Sequence, residues 1–345
     1  KRVQSARPQD PTKPLPYMEE EVLYLNETEG NTLAGTLTYP RGGKNFPAVI
    51  LISGSGQQNR NEEILNHRPF LVISDYLTRK GFAVLRFDDR GVGGSSPIGL
   101  AKATSENFAD DVIAGVNFLK KHHAVDKNCI GLIGHSEGGI IAPLAYGKNP
   151  DDIAFIVLLA GPGVPGDIIL NEQTKMMMKL SGASEEEIET TLKTNKKLYE
   201  IAKSNLSYER PLNEAKKIIT GSFKGKEELT DEYIERQART FAMPWMRFFL
   251  FFDPAISLQR VRCPILALNG NLDVQVTYKP NLQAIENALK KGGNEDITTK
   301  VLKEHNHLFQ HAETGMVTEN ATIEETFSPE ALELISEWLK KQIQK

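Results

Sequence analysis

A serine between two glycines is the first feature of this chain that could do chemistry. The segment Gly134-His135-Ser136-Glu137-Gly138 follows an apolar run and precedes a helix-compatible segment. This order is typical of a nucleophile elbow, in which a serine lies on a sharp turn between a buried strand and a helix. Glycine two residues either side leaves room for such a turn. We predict that Ser136 is a nucleophile, and this motif alone leaves open an ordinary strand-to-helix turn with a hydrogen-bonded serine.

A serine hydroxyl needs a histidine to take its proton and a carboxylate to orient that histidine. Asp273 directly follows the apolar run 264–270 and the short segment Asn271-Leu272. An Asp just past the carboxyl end of a core strand lies at the edge where ligands bind in open α/β sheets. A turn-forming Asp is the alternative interpretation. Once Ser136 is granted, we predict that Asp273 is the acid.

Three histidines follow the strand-like run 297–302, namely His305, His307 and His311. Their place in a loop suits a base that reaches over the strand edge. We predict that His307 is the base, with His305 as the second candidate, and that His311 faces solvent. Two histidines with one residue between them do not make a zinc site without a further Cys/His set at ligand spacing. The sequence therefore predicts no metal and no other cofactor.

The remaining histidines and the two cysteines are expected to have no chemical role. Cys129 and Cys263 each begin a strand-like run, and the predicted sheet order places one strand between these runs. Two strand spacings amount to ~9–10 Å, which exceeds the ~7 Å limit for the Cα atoms of a disulfide. Both are expected to be buried free thiols. The histidines expected to be surface or packing residues are His67, His122, His123 and His135.

An anionic intermediate would need two convergent backbone N–H donors. One should be the amide of Glu137, the residue after the serine, and the other should come from the loop after the first strand of the parallel sheet. That loop is Ser53-Gly54-Ser55-Gly56-Gln57-Gln58, whose glycines allow close backbone approach. We predict Ser55 as the second donor, with Gly56 or Gln57 as alternatives. A plain flexible Gly/Ser loop is the competing interpretation.

The elements that must position these residues alternate between strand and helix. Apolar strand-like runs lie at 47–52, 82–87, 129–134, 153–159, 264–270 and 297–302, and helix-like segments at 69–80, 105–122, 280–290 and 329–344. This alternation predicts a doubly wound parallel sheet with right-handed crossovers. The runs 19–25 and 32–39 before it predict an antiparallel hairpin.

The alternation stops after residue 163 and resumes near residue 259. The block 164–258 has the apolar spacing of amphipathic helices. We therefore predict a helical cap over 164–258, inserted into a core formed by 17–163 and 259–345. Residues 1–16 are rich in Lys, Arg, Pro and Gln without periodicity, and they are expected to form a flexible leader.

With these elements in order, the sequence resembles the α/β-hydrolase family, and most closely its bacterial carboxylesterases with a helical cap. The likeness covers about residues 47 to 310 and is carried by Ser53-Gly54-Ser55-Gly56, Asp88-Asp89-Arg90-Gly91-Val92-Gly93-Gly94-Ser95-Ser96, Gly134-His135-Ser136-Glu137-Gly138-Gly139, Gly270-Asn271-Leu272-Asp273 and Asn306-His307-Leu308-Phe309. The resemblance implies an eight-stranded, mostly parallel sheet with helices on both faces. It also implies a triad of Ser136, Asp273 and His307.

The chain departs from this family's pattern at one place. Many relatives have His-Gly before the oxyanion loop, whereas this chain has Ser53-Gly54. This departure affects the assignment of the second oxyanion donor and leaves the assignment of the triad unchanged. The family also implies that Asp89-Arg90-Gly91 is a structural turn, so this segment is not assigned to catalysis.

Composition narrows the classes of protein that fit. The 345 residues are 40% hydrophobic and 25% charged, which suffices for a normal core, and the formal net charge of -4 gives no basic footprint for nucleic acid. No apolar run approaches the ~18 residues of a membrane span. Because the chain begins with Lys1 rather than Met, we expect a processed or trimmed, soluble product, and the sequence leaves export open.

These features together predict a serine hydrolase that cleaves carboxylic esters of small or medium acyl groups through an acyl-enzyme. Its expected partner is a small-molecule ester, and the sequence does not fix the oligomeric state. An aminopeptidase or an acyl thioesterase on the same triad is the alternative. An aminopeptidase needs cap carboxylates for the substrate ammonium, and Glu185-Glu186-Glu187 is either such a group or a solvated helix face. A noncatalytic binding protein is a third hypothesis, against which the complete Ser, Asp and His set argues.

Overall fold

One sheet of eight strands runs through the computed structural model, which describes residues 7–203, 209–222 and 230–344. In chain order the strands are β1 (Tyr17–Leu25), β2 (Thr32–Pro40), β3 (Phe46–Ile52), β4 (Ala83–Phe87), β5 (Val125–His135), β6 (Phe155–Leu159), β7 (Ile265–Gly270) and β8 (Ile297–Leu302). Their order across the sheet is β1-β2-β4-β3-β5-β6-β7-β8. β2 is antiparallel to β1 and β4, whereas the other neighbours are parallel. The predicted hairpin and the mostly parallel sheet are confirmed.

Helices cover both faces of this sheet. On one face lie α1 (Pro69–Arg79) and α11 (Pro329–Ile343), and on the other lie α2 (Ser105–Lys121), α3 (Gly138–Lys148) and α10 (Tyr278–Gly292). Strands covered on both sides have no solvent face, which explains why all five residues of β6 are apolar and buried. Burying each such side chain contributes roughly 1.5–3 kcal/mol.

A block of helices separates β6 from β7, at the place where the sequence predicts a cap over 164–258. In chain order the helices are α4 (Gly166–Leu180), α5 (Glu185–Lys203), α6 (Glu209–Ser222), α7 (Asp231–Ala242), α8 (Pro244–Phe251) and α9 (Ala255–Leu258). We call α4 to α9 the helical insertion. Helices α4 to α8 contribute to an apolar cluster of their own, whose buried members are Leu198, Tyr199, Ala202, Ala215, Ile219, Ala238, Met246 and Leu250. Leu258 of α9 belongs instead to the core of the sheet.

The segment predicted as a flexible leader, 1–16, is anchored in part. Residues 1–6 lie outside the described residues, and residues 7–16 form neither helix nor strand. However, Gln9 Nε2 donates to the Phe327 carbonyl at 2.6 Å, and Gln9 Oε1 accepts the Thr326 amide at 2.6 Å. A single side-chain amide thus pairs with backbone groups far along the chain. Composition does not reveal such pairing, and the flexible leader over 1–16 stays a prediction.

Both cysteines are free thiols, as the sequence predicts. Cys129 lies in β5 and Cys263 just before β7, and β6 separates these strands in the sheet. Cys263 is buried, whereas Cys129 is only half-buried. Burial raises the pKa of Cys129 to about 11 and that of Cys263 to about 12, so neither is a reactive thiolate at neutral pH. A search of the described helices finds none with the length and apolarity to cross a membrane.

The turn after β4 has the structural role that the resemblance implies. Arg90 is fully buried, and its Nε donates to Asp111 Oδ2 at 2.5 Å. Its Nη1 lies 3.2 Å from Glu29 Oε2 in the turn between β1 and β2. A buried guanidinium needs such acceptors, and through them Arg90 links this turn to α2 and to the edge of the sheet.

Candidate active site

The turn between β5 and α3 has the geometry of a nucleophile elbow. Ser136 has φ of 52°, in the left-handed region, which costs a non-glycine residue on the order of 1–3 kcal/mol. A Cβ on Gly134 would lie 2.1 Å from the Gly138 carbonyl oxygen, and one on Gly138 would lie 2.3 Å from the Ile52 carbonyl oxygen. Only glycine fits at these two positions, because backbone passes where a side chain would be. The strain of the turn falls on the serine itself.

Asp273 and His307 meet at the same edge of the sheet. Asp273 follows β7, His307 follows β8, and His307 Nδ1 lies 2.8 Å from Asp273 Oδ2. The other oxygen, Asp273 Oδ1, accepts the amides of Gln275 at 2.8 Å and Val276 at 2.9 Å, which fixes the carboxylate. With Nδ1 donating to the carboxylate, Nε2 of the neutral ring carries the lone pair that accepts a proton. The arrangement therefore suits a histidine acting as a base.

The other two histidine candidates do not meet Asp273. His305 is fully buried, with Nδ1 2.5 Å from the Lys303 carbonyl and Nε2 2.7 Å from Ser328 Oγ. His311 is exposed, as predicted, and its Nδ1 lies 2.9 Å from Glu325 Oε1. Both ring nitrogens of His305 are thus engaged in holding the loop.

One group of side chains has possible ligand atoms close enough together to bind a metal ion. The possible ligand atoms of His305, His311 and Glu330 lie within 4.8 Å of one another, and this is the group found in a search of the described residues. The sequence analysis predicts no metal and did not consider Glu330. Ser328 already occupies the Nε2 atom of His305 at 2.7 Å, so an ion there would have to displace this hydrogen bond.

His135, expected to be a packing residue, has a more specific place beside His307. Its side chain is buried, with Nδ1 2.9 Å from Glu62 Oε1 and Nε2 2.9 Å from the His307 carbonyl oxygen. Burial acts to lower the pKa of His135, but the Glu62 carboxylate overcomes this and raises it. Because both partners are acceptors, a doubly protonated ring satisfies both. His135 thereby holds the backbone of the proposed base.

His67 also differs from the expectation of a plain surface or packing residue. It is fully buried and hydrogen-bonded, with Nε2 2.7 Å from the Asn320 carbonyl and Nδ1 3.0 Å from Thr326 Oγ1. Burial lowers the pKa of His67. By contrast, His123 is exposed and His122 half-buried at the end of α2, as expected.

Two buried carboxylates shape the loop after β3. Asp89 accepts the Ser53 hydroxyl at 2.8 Å and the Gln58 amide at 2.9 Å. Glu62 accepts the Gly54 amide at 2.6 Å. The loop is therefore held at both ends and is not a freely flexible Gly/Ser segment. These bonds also remove the amides of Gly54 and Gln58 from the candidate oxyanion donors.

This loop passes directly against the serine. A Cβ on Gly54 would lie 3.1 Å from Ser136 Cβ, so a larger residue there would crowd the turn. Among the hydrogen bonds of the described residues, none is donated by the amide of Glu137 or by the amides of Ser55, Gly56 and Gln57. The amide of Glu137 is thus open to a substrate oxygen, and Ser55 stays the predicted second donor with Gly56 and Gln57 as alternatives.

The carboxyl groups near this loop have raised pKa values. Burial raises the pKa of Asp89 to about 8, against the opposing effect of the donors Gln58 and Ser53. Burial also raises the pKa of Glu137, while hydrogen bonds from Ser105, Trp245 and Ser55 act to lower it. No local sequence pattern indicates a role for the Glu137 side chain, because its partners come from distant segments.

The largest acidic run of the insertion lies away from these residues. Glu185 to Glu187 are exposed on the first turn of α5. Glu186 and Glu187 line a cavity of about 350 Å³ between α5, α6 and α7. Ser136, Asp273 and His307 are not among the described residues that line it. The acidic run therefore lies on an exposed helix face, and the cavity that it lines is not one lined by Ser136, Asp273 or His307.

A strained serine after a central strand of a mostly parallel sheet, with an Asp–His pair beyond two later strands, defines an α/β hydrolase. A comparison with protein-family models agrees, since the model described as serine aminopeptidase, S33, matches residues 69–313. The chain belongs to this family.

A curated relative that matches this chain is named an esterase. It is 28% identical over 296 residues to Esterase EstD of Thermotoga maritima, a match that covers 85% of this chain and 61% of that protein. The chain thus spans less than two thirds of the length of this relative.

Solved structures support the fold. The Pyrococcus furiosus esterase Pf2001 matches with a TM-score of 0.56 and 18% identity, over 95% of this chain and 91% of that chain. Est1E of Butyrivibrio proteoclasticus, solved with ferulic acid bound, matches with a TM-score of 0.52 and 18% identity, over 94% of this chain and 100% of that chain. At such identities these similarities speak to the fold alone.

Proposed function

We propose that this protein is a serine hydrolase that cleaves carboxylic esters of small or medium acyl groups. Ser136 is the nucleophile, His307 the general base and acid, and Asp273 the carboxylate that orients it. The observation that carries the proposal is the 2.8 Å contact of Asp273 with His307, at the sheet edge where Ser136 takes its strained conformation. No metal or cofactor takes part.

The proposed reaction proceeds through an acyl-enzyme. His307 Nε2 takes the proton of Ser136 Oγ as the oxygen attacks the ester carbonyl carbon. The resulting oxyanion accepts hydrogen bonds from the amides of Ser55 and Glu137. The tetrahedral intermediate collapses with release of the alcohol, which receives the proton from His307. Water then attacks the acyl-enzyme carbonyl as His307 takes its proton, and His307 returns this proton to Ser136 Oγ as the acyl–serine bond breaks and the carboxylic acid leaves.

An ester is favoured over a peptide as substrate. An aminopeptidase needs a carboxylate near the triad to hold the substrate ammonium, and the acidic run that the sequence offered for this, residues 185–187, is exposed on α5. The nearby carboxyl groups of Glu62 and Glu137 are buried and already accept hydrogen bonds. The likeness to an enzyme named an esterase points the same way.

Hydrolysis of p-nitrophenyl acetate, butyrate and octanoate by the wild type and by Ser136→Ala tests this proposal. We expect the substitution to lower kcat by at least ~10³-fold, because the nucleophile is lost, and to leave the fold unchanged by circular dichroism. The chain-length preference measures the acyl pocket. Turnover that survives in Ser136→Ala would exclude the mechanism.

The same samples distinguish the two alternatives on the same triad. An aminopeptidase would cleave aminoacyl anilides faster than the esters, and a thioesterase would prefer acyl-CoA. A folded wild type that is inert toward all three substrate classes would favour the noncatalytic hypothesis.

A further inference from the structure

The side chain of Glu137 lies at a junction of three segments. Glu137 directly follows Ser136 and is only 2% exposed. Its Oε1 accepts the Ser105 hydroxyl at 2.7 Å, from the start of α2. Trp245 Nε1, from α8 of the helical insertion, lies 2.8 Å from Oε1 and 2.9 Å from Oε2.

Glu137 itself carries one of the two amides proposed as oxyanion donors. Because the carboxylate and this amide belong to one residue, the hydrogen bonds that fix the carboxylate also restrict the position of the amide. The same carboxylate accepts a hydrogen bond from Trp245, which lies in α8 of the helical insertion. The insertion is thus hydrogen-bonded to the residue that follows the nucleophile.

We propose that Glu137 is a positioning residue whose carboxylate couples the helical insertion, through Trp245, to the position of the Glu137 amide, one of the two proposed oxyanion donors. This inference rests on the proposed function and extends it, because it gives the insertion a part in turnover in addition to any part in substrate selection.

The physical reason lies in the burial of the carboxylate. A buried carboxylate that loses a donor must find another or move, because an unsatisfied buried acceptor costs ~1–3 kcal/mol or more. The backbone amide of Glu137 is a proposed oxyanion donor. A movement of the Glu137 side chain therefore displaces an atom group close to this amide. A small misplacement of groups that stabilise the transition state lowers the rate strongly.

Trp245 is suited to this role because indole offers a donor and no acceptor. Its ring is stacked on Phe249 of the same helix, with ring centroids 5.6 Å apart and planes 13° apart. Phenylalanine at this position would retain an aromatic ring for the stack and lose only the N–H. Trp245→Phe therefore removes the hydrogen bond with little change in packing.

The chain supplies a matched control in its second tryptophan. Trp338 lies in α11, and its Nε1 donates to Thr298 Oγ1 of β8 at 3.3 Å. Trp338→Phe makes the same chemical change, including loss of one hydrogen bond, at a site that has no contact with Glu137. Comparison of the two variants separates a specific effect from the general cost of replacing a buried tryptophan.

The test measures kcat and KM for p-nitrophenyl butyrate, together with the rate at which a fluorophosphonate probe labels Ser136. We expect Trp245→Phe to lower kcat and the labelling rate by about tenfold, with KM changed less than twofold, as expected for a loss of transition-state stabilisation. Trp338→Phe should stay within twofold of the wild type. A Trp245→Phe variant within twofold in both rates, or altered in KM alone, would overturn the proposal.

A second pair of variants covers the case in which Trp245→Phe does not fold. Ser105→Ala removes another donor from Glu137, and Ser74→Ala removes an equally buried hydroxyl from α1, where Ser74 Oγ lies 2.9 Å from Thr38 Oγ1. We expect a several-fold loss of kcat for Ser105→Ala only, and equal rates for the two variants would contradict the proposal. Failure of the proposed function is seen separately, as turnover that persists in Ser136→Ala.

Discussion

At the scale of single residues, the two neighbouring histidines of the loop after β8 are assigned opposite roles. His307 lies 2.8 Å from Asp273, whereas His305 bonds to Lys303 and Ser328. We expect His307→Ala to lower kcat by at least ~10³-fold with a small change in stability, because it removes the proposed base. His305→Ala should keep kcat within about tenfold and lower the melting temperature, because it leaves buried partners unsatisfied.

Ester kinetics and thermal unfolding of both variants check this assignment. The reverse ranking in kcat would move the base to His305. Each variant is the control for the other, since they lie two positions apart in one loop and make the same substitution.

At this same scale, the residues that support the candidate site could not be predicted from sequence. Ser136, Asp273 and His307 follow from residue type and from order along the chain. The contacts of His135 with Glu62 and with His307 span 73 and 172 residues, and that of Trp245 with Glu137 spans 108. Such pairs have no local periodicity or spacing, so only the folded chain brings them together.

At the scale of elements, the loop after β3 depends on the protonation of Asp89, whose pKa burial raises from 3.8 to about 8. Between these pH values the folded protein holds a proton that the unfolded chain has released. Stability must therefore fall as the pH rises from about 4 to 8. Asp89→Asn does not titrate and lacks this dependence. Relative to the variant, we expect the wild type to lose about 3–4 kcal/mol of unfolding free energy between pH 5 and pH 8.

Urea unfolding of wild type and Asp89→Asn at pH 5, 6.5 and 8 measures this difference. Taking the difference between the two proteins cancels the titration of every other group that the substitution leaves unchanged. Parallel profiles across this range would show that Asp89 is ionised throughout, held by the amide of Gln58 and the hydroxyl of Ser53.

The positions of helices and strands could be predicted from the sequence better than the contacts of single side chains. The helix α1 begins at Pro69, where apolar patterning places it, because a segment buried on one face must follow the period of its structure. The anchoring of Gln9 on residues 326–327 was missed for the opposite reason, since a segment without periodicity can still be held by one polar side chain.

At the scale of the whole molecule, a buried polar network ties the edge of the sheet to its centre. Asp111 of α2 accepts Asn26 Nδ2 at 2.8 Å and Asn31 Nδ2 at 3.0 Å from the turn between β1 and β2. The same carboxylate accepts Arg90 Nε at 2.5 Å from the turn after β4. Three parts of the chain that share no local sequence are thus joined at one carboxylate.

We expect Asp111→Ala to destabilise the protein by about 3–5 kcal/mol, because it leaves the guanidinium of Arg90 buried and without its main partner. The adjacent Asp110→Ala is the control. Asp110 pairs with Lys148 at 2.7 Å in a partly exposed ion pair, which contributes about 0–1 kcal/mol. Urea unfolding of both variants at pH 7 measures the difference. Equal stabilities would mean that the network adds nothing beyond a surface pair, and that the hairpin at the edge of the sheet is held by its strand pairing alone.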